Sequence, residues 1–220
     1  MLQLTKSACL CTDTAESLAD MRRAFDEHHV IRLREFFHPD LLGFVKQGIR
    51  QAQFHDRVHS DIAREDCMSD DNIVAALLTF LANDPQLFRA VEAITGCGTV
   101  RYFNGRVYLM RANSTHFDRW HSDATGTRMI GMSVNLSEGE FKGGLFQLTH
   151  WNREEPEVAV ANTGPGDAIL FRVHDDLIHR VTPIEGDIPR TAYAGWFQGS
   201  PDFMAVLKGQ DLAVEVESVE

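Results

Sequence analysis

Two histidines and an aspartate are the side chains of this sequence best suited to hold a metal ion. The pattern His-x-Asp occurs five times, as His38/Asp40, His59/Asp61, His116/Asp118, His121/Asp123 and His174/Asp176. The histidine and aspartate content predicts only about one by chance, so context must choose among them. His38-Pro-Asp40 opens a helix, where both side chains can cap. His59/Asp61 lies in a polar stretch, and His174/Asp176 stands too close to His179 to separate three ligands. His121-Ser-Asp123 is flanked on both sides by β-rich sequence. Residues two apart in an extended chain share a face, so one strand end can present an imidazole and a carboxylate together. His179, directly after the strand GDAILF, is the candidate third ligand. Two imidazoles and one carboxylate on one side of a first-row metal leave three coordination positions open for chemistry.

Five residues upstream, His116-Phe-Asp118 is a rival for the first two ligands. The short loop after Asp123 leads straight into TRMIGMSVNLS and favours the downstream pair. Taken singly, each of these histidines would be read as a surface or capping residue. The ordered series HxD, strands, His, Arg sets this group apart, and three open positions suit non-haem iron centres that activate dioxygen.

The elements that must carry these residues fall into two textures. Asp13 and Glu16 can form a capping box for a helix bearing Leu18, Met21 and Phe25. Val30-Ile31-Arg32-Leu33 is a short strand. Pro39 starts a second helix with Leu41, Leu42, Val45 and Ile49 inward. Residues 53–71 are charged, lack clear periodicity and are expected to form a loop. A helix over 72–83 carries Ile73, Leu77, Phe80 and Leu81, and another runs from Asp84-Pro85 to about Gly96. From Thr99 the chain turns to seven short β-rich segments bounded by Gly, Pro, Asn or Asp, which predicts a sandwich or barrel of jelly-roll type. The expectation is an α+β chain forming a single domain over 1–220: a mainly helical 1–98, a β core over 99–198 and a tail over 199–220, its last dozen residues loosely held.

Composition narrows the partners. The sequence has 220 residues, with 21 Lys+Arg against 32 Asp+Glu for a net charge of −11. A field of that sign repels phosphate backbones and argues against nucleic acid. No apolar run approaches the ~20 residues of a membrane span. The first residues lack the features of a secretory signal. Cys9, Cys11, Cys67 and Cys97 show no CxxC spacing and read as reduced thiols, pointing to a cytoplasmic protein.

Between Val30 and Phe197 the sequence resembles the 2-oxoglutarate- and Fe(II)-dependent dioxygenases, in particular the prolyl-4-hydroxylase-like branch. The carriers are His121-Ser-Asp123, the segments GGLFQL (143–148) and GDAILF (166–171), HRVTP (179–183) and RTAYAGWF (190–197). The resemblance implies a double-stranded β-helix, a distorted jelly roll with the metal in its mouth. It implies Fe(II) on His121, Asp123 and His179, with 2-oxoglutarate and O2 as cosubstrates. Arg190 matches the arginine that binds the far carboxylate of 2-oxoglutarate, where a guanidinium offers two parallel hydrogen bonds. Val181 matches a position packed against the cosubstrate, and Asn135 one that helps bind its carboxylate. Trp196 matches a family aromatic. Where relatives often carry a tyrosine this chain has Arg111; Tyr108 lies nearby on the opposite strand parity and is the candidate in its place. The implied reaction oxidises, by hydroxylation in the usual case, an unactivated C–H of a small molecule or amino-acid-like substrate. A metal-dependent hydrolase on the same ligands, or an inert jelly-roll binding module, are the competing readings. Residues 53–71 and the loop at His150-Trp151-Asn152-Arg153 are candidates for a lid over the entrance.

Overall fold

The computed structural model describes residues 1–112, 115–161 and 164–208. A hairpin of β1 (Leu2–Leu4) and β2 (Cys9–Cys11) precedes α1 (Ala15–His28), which is capped by the Thr14 hydroxyl and ends at His29 with φ 58°. Strand β3 (Val30–Leu33) leads to α2 (Pro39–Gln51), which starts on a proline as expected. Next come β4 (Phe54–His59), β5 (Ala63–Met68), α3 (Ile73–Ala82) and α4 (Pro85–Thr95), the last closed by Gly96 in the left-handed region. The β core follows as β6 (Tyr102–Met110), β7 (Phe117–Asp118), β8 (Arg128–Asn135), β9 (Lys142–Gly143), β10 (Phe146–His150) and β11 (Val158–Val160). It continues through β12 (Ala168–Arg172), β13 (Leu177–Val181), β14 (Ile184–Glu185) and β15 (Arg190–Gln198), and a short α5 (Phe203–Leu207) closes the described chain.

Antiparallel pairing places the long strands in one curled sheet of order β3-β12-β8-β15-β6-β5-β4, with β7 joined to β5. A smaller sheet, β11-β10-β13, and the pair β14-β9 lie outside that path. This is the jelly-roll, α+β architecture expected from the change of texture at Thr99. One face of the large sheet, with Phe103, Val107, Ile130, Met132, Val134, Tyr193 and Phe197, packs on Phe25, Leu41, Val45, Leu78 and Val91 of the helices. Truncating one of these buried aromatics to alanine typically costs about 3–5 kcal/mol. Asn83, at the end of α3, fixes helix to sheet. Its Oδ1 accepts from the Phe103 N–H at 2.8 Å, and its Nδ2 donates to the Phe103 carbonyl at 3.0 Å. The helices thereby hold the sheet from behind and leave the opposite face free to line a cavity.

Several expectations are corrected. Residues 53–71 are largely the β4–β5 hairpin, paired from Phe54↔Met68 to His59↔Ala63 and continuous with the large sheet through β6. The region before residue 98 therefore contains five strands beside its four helices. Helix α3 buries Val74, Leu78, Leu81 and Ala82, while Ile73 and Phe80 point to solvent. Of the expected positions Leu81 is buried and Leu77 packs against the core, while Val74 fills the space that a side chain at Gly48 on α2 would need. Residues 199–208 hold α5, with Phe203 stacked on Tyr102; the last dozen residues lie outside the described ones.

Candidate active site

His179 comes from β13, and His121 sits in the turn between β7 and β8. Two backbone bonds tie them: the His121 N–H donates to the His179 carbonyl at 3.1 Å, and the His179 N–H to the His121 carbonyl at 2.9 Å. The bridge sets the two imidazoles side by side, ring centres 4.4 Å apart. Asp123 Oδ2 lies 3.2 Å from His179 Nε2, and its Oδ1 lies 3.7 Å from His121 Nε2. One ligand atom from each residue lies within 4.8 Å of the others. Adjacent ligands at about 2.1 Å from one ion stand about 3 Å apart, so the donor set fits a first-row cation after small adjustments.

The neighbours orient these ligands. The His121 Nδ1–H donates to the Arg119 carbonyl at 2.7 Å, which leaves Nε2 unprotonated with its lone pair free for a metal. The Trp196 indole N–H donates to Asp123 Oδ2 at 2.6 Å. The Arg128 guanidinium stacks 3.7 Å above the Trp196 ring and 3.8 Å from Asp123 Oδ1. Burial pushes the Asp123 pKa up, but hydrogen bonds from His179 and Trp196 and the field of the two histidines outweigh it and hold it at about 2. The carboxylate is therefore ionised at any physiological pH, as a metal ligand must be. Trp196, legible in the sequence only as a family aromatic or core residue, positions the acid.

The rival pair splits. His116 lies against Asp66, 3.5 Å away, and Asp56, Asp66 and His116 cluster away from the triad. Their carboxylates already pair with Arg64 and Arg111. Asp118 instead turns towards the triad. Its Oδ2 accepts from the Val181 N–H at 2.9 Å, and its Oδ1 lies 3.4 Å from His121 Nδ1. Burial drives its pKa up despite the two histidines.

The triad opens on a cavity of about 280 Å3 whose wall also includes Arg190, Tyr108 and Val181. Arg190 begins β15 opposite Met110, and Tyr108 lies opposite Ala192, so both point into the cavity from one face of the sheet. The parity objection to Tyr108 falls away, and Arg111 is the residue that turns outward, to Asp66. Arg190 Nη2 donates to Ser133 Oγ at 3.1 Å, and among the described residues no carboxylate lies within 4 Å of the guanidinium. Burial lowers its pKa against the opposing fields of Asp118 and Glu65, yet a guanidinium keeps its charge. A buried cation without a carboxylate partner fits an anionic ligand end. Asn135 lies opposite Ala192, on the sheet face that carries Arg190. It is buried, its Oδ1 accepts from the Ser137 N–H at 2.9 Å, and it lines a small neighbouring pocket of about 30 Å3 behind Arg190. The lid expectation is corrected too. The β4–β5 hairpin is a paired wall of the cavity, and the loop at Trp151 lies apart from it.

That hairpin supplies Arg57 and Glu65, which the sequence reading missed. Burial pushes Glu65 up to about 7, opposed by Arg57 and aided by Asp118. A carboxyl whose folded pKa is raised takes up protons on folding, so it weakens stability as pH rises from about 4.5 to 7. Glu65→Gln removes that dependence. In the metal-free protein the variant should gain about 1–2 kcal/mol over wild type between pH 5 and pH 8, after discounting for partial exposure. Urea titrations at the two pH values check this; equal slopes with pH would contradict it.

A jelly roll carrying two histidines and an aspartate at its mouth, beside a buried unpaired arginine, is that of a non-haem iron oxygenase. Residues 103–198 match the family model of the 2OG-Fe(II) oxygenase superfamily, spanning the triad and Arg190. Among solved structures, a Pseudomonas putida prolyl-4-hydroxylase is similar, with 21% identity and a TM-score of 0.65 over 84% of this chain and 100% of that one. A 2OG-Fe(II) oxygenase family oxidoreductase from Burkholderia pseudomallei shares 14% identity over 90% of this chain and 96% of that one, TM-score 0.64. The α-ketoglutarate-dependent epimerase SnoN of nogalamycin biosynthesis shares 14% over 84% of each chain, TM-score 0.65. No curated protein gives a significant match. Residues 103–198 thus match the 2OG-Fe(II) oxygenase superfamily, whose enzymes use Fe(II), 2-oxoglutarate and O2, and His121, Asp123 and His179 form a candidate iron site within that match. The hydrolase and inert-module readings are set aside.

Proposed function

We propose that this protein, acting as one catalytic domain, hydroxylates an unactivated C–H of a small molecule or amino-acid-like substrate. In this reading His121, Asp123 and His179 hold iron, and Arg190 takes the far carboxylate of 2-oxoglutarate. The carrying observation is the buried Arg190 guanidinium, free of any carboxylate partner within 4 Å among the described residues, on the wall of the cavity that holds the triad. When bound, iron and 2-oxoglutarate supply the oxidising chemistry, with release of succinate and CO2.

The chain's own part is placement and exclusion. Arg190 and Ser133 fix one end of the cosubstrate, and Val181 and Tyr108 wall it. The Arg119 carbonyl keeps the proton of His121 on Nδ1, and the Trp196 N–H holds the orientation of Asp123. Phe146 and Phe171, packed against the His179 ring, keep water from that side. A small-molecule substrate is supported by the cavity volume, and nucleic acid is disfavoured by the net charge. No helix among the described residues is long and apolar enough to cross a membrane, and the four free cysteines suit a reducing cytoplasm. Labelled 2-oxoglutarate incubated with Fe(II), O2 and a metabolite panel tests the reading. Succinate and CO2 should form in equal amounts, faster with one panel member, which gains an oxygen atom. Hydrolysis of a panel member without succinate would overturn it.

A further inference from the structure

Four arginines line the cavity. Arg106 is paired with Asp70 at 3.2 Å, and Arg128 is engaged with Asp123 and the Trp196 ring. Arg190 and Arg57 make no ion pair among the described residues. Resting on the oxygenase reading, which assigns Arg190 to the cosubstrate, we propose that Arg57 anchors a carboxylate of the substrate, so that the enzyme acts on small organic acids, amino acids among them.

The hairpin register fixes where Arg57 points. It is the cross-strand partner of Glu65, and both share an inward face with His59 and Ala63, all four on the cavity wall. The Arg57 Nη1 donates to the Tyr108 hydroxyl at 2.7 Å, and the guanidinium lies 5.6 Å from the centre of that ring. Tyr108 thus fixes one edge of the fork and leaves other N–H groups for a ligand, a planar two-pronged match for a carboxylate. Tyr108 and Met110 are successive inward residues of β6, and Met110 faces Arg190. The two unpaired guanidiniums therefore serve anions about one strand repeat apart along the wall, roughly 7 Å. A phosphate dianion would ask for more positive charge than this corner offers, since Arg106 is neutralised by Asp70 and Glu65 faces Arg57.

The test pairs each acid with its neutral amide. L-amino acids, 2-hydroxy acids and simple carboxylic acids, each beside the corresponding amide, are assayed for stimulation of succinate formation by the iron-loaded enzyme. At least one acid should stimulate, with its amide roughly 10–100-fold weaker, the effect of losing one charge-assisted bidentate pair. Arg57→Ala should bring acid and amide to near parity, and Arg57→Lys should restore part of the preference. This within-variant ratio does not move with a merely structural loss. Equal stimulation by acids and amides in the wild type, no stimulating acid, or an unchanged ratio in Arg57→Ala would overturn the proposal. So would a raised 2-oxoglutarate requirement in Arg57→Ala with acid selectivity intact, which assigns Arg57 to the cosubstrate. If the wild type forms no succinate at all, the oxygenase reading itself has failed. Calorimetric binding of the same acids and amides to wild type and Arg57→Ala then still decides the role of Arg57.

Discussion

Arg190→Ala should raise the 2-oxoglutarate concentration needed for half-maximal succinate formation by two to four orders of magnitude while iron still binds. A carboxylate left in a buried site without its cation loses roughly 3–5 kcal/mol, which is that factor in binding. The magnitude rests on placement: Arg190 lines the cavity rather than the outer surface, with Ser133 Oγ as its hydrogen-bond partner and no carboxylate within 4 Å among the described residues. Arg190→Lys should recover part of the loss, since an ammonium supplies charge without the planar fork. Steady-state kinetics over a range of 2-oxoglutarate, beside an iron determination, separate loss of cosubstrate from loss of metal. An unchanged requirement would remove Arg190 from the cosubstrate site even with the metal centre intact.

Asp123→Ala should abolish turnover, by at least about three orders of magnitude, and cut iron retention. It removes the one anionic donor of the three and leaves two neutral imidazoles against a divalent cation. His116→Ala should leave iron retention as in the wild type, because His116 lies with Asp56 and Asp66, away from the triad. Iron per protein after dialysis, with circular dichroism to verify folding, measures both. Retention lost in His116→Ala and kept in His121→Ala would exchange the two pairs.

The parts of this architecture that punctuate themselves were legible in the sequence. Pro39, Asn72, Asp84-Pro85 and Gly96 mark the helices because each satisfies or frees a terminal backbone group. The β core showed in its alternation, and the triad in the spacing of His121, Asp123 and His179. The β4–β5 hairpin was hidden because neither of its faces is an apolar core. Arg57, Glu65 and His59 face the cavity, while Asp56 and Arg64 pair on the other side. Polar residues on both faces erase the period-two signal that identifies a half-buried strand. The turn at Ser60-Asp61, midway between equal polar runs, was the available clue. The three-residue strands β1 and β2 are too short for any period to register.

Side-chain direction was legible where strand register dictated it. Arg190 and Val181 fall on the cavity wall as their strands require. Asn135 ends β8 on the face that carries Arg190, and its side-chain oxygen also accepts from the Ser137 N–H two residues on, a local bond that register alone does not reveal. Trp196 and Asp118 belong to the site through contacts spanning 73 and 63 residues of sequence. No local pattern carries such information.

The most direct test is a crystal structure grown without oxygen in the presence of Fe(II) and 2-oxoglutarate. One iron is expected on His121 Nε2, His179 Nε2 and an Asp123 carboxylate oxygen, with the keto-acid end of 2-oxoglutarate on the metal and its far carboxylate on Arg190. Iron bound at Asp56, Asp66 and His116, or 2-oxoglutarate placed away from Arg190, would contradict the assignment.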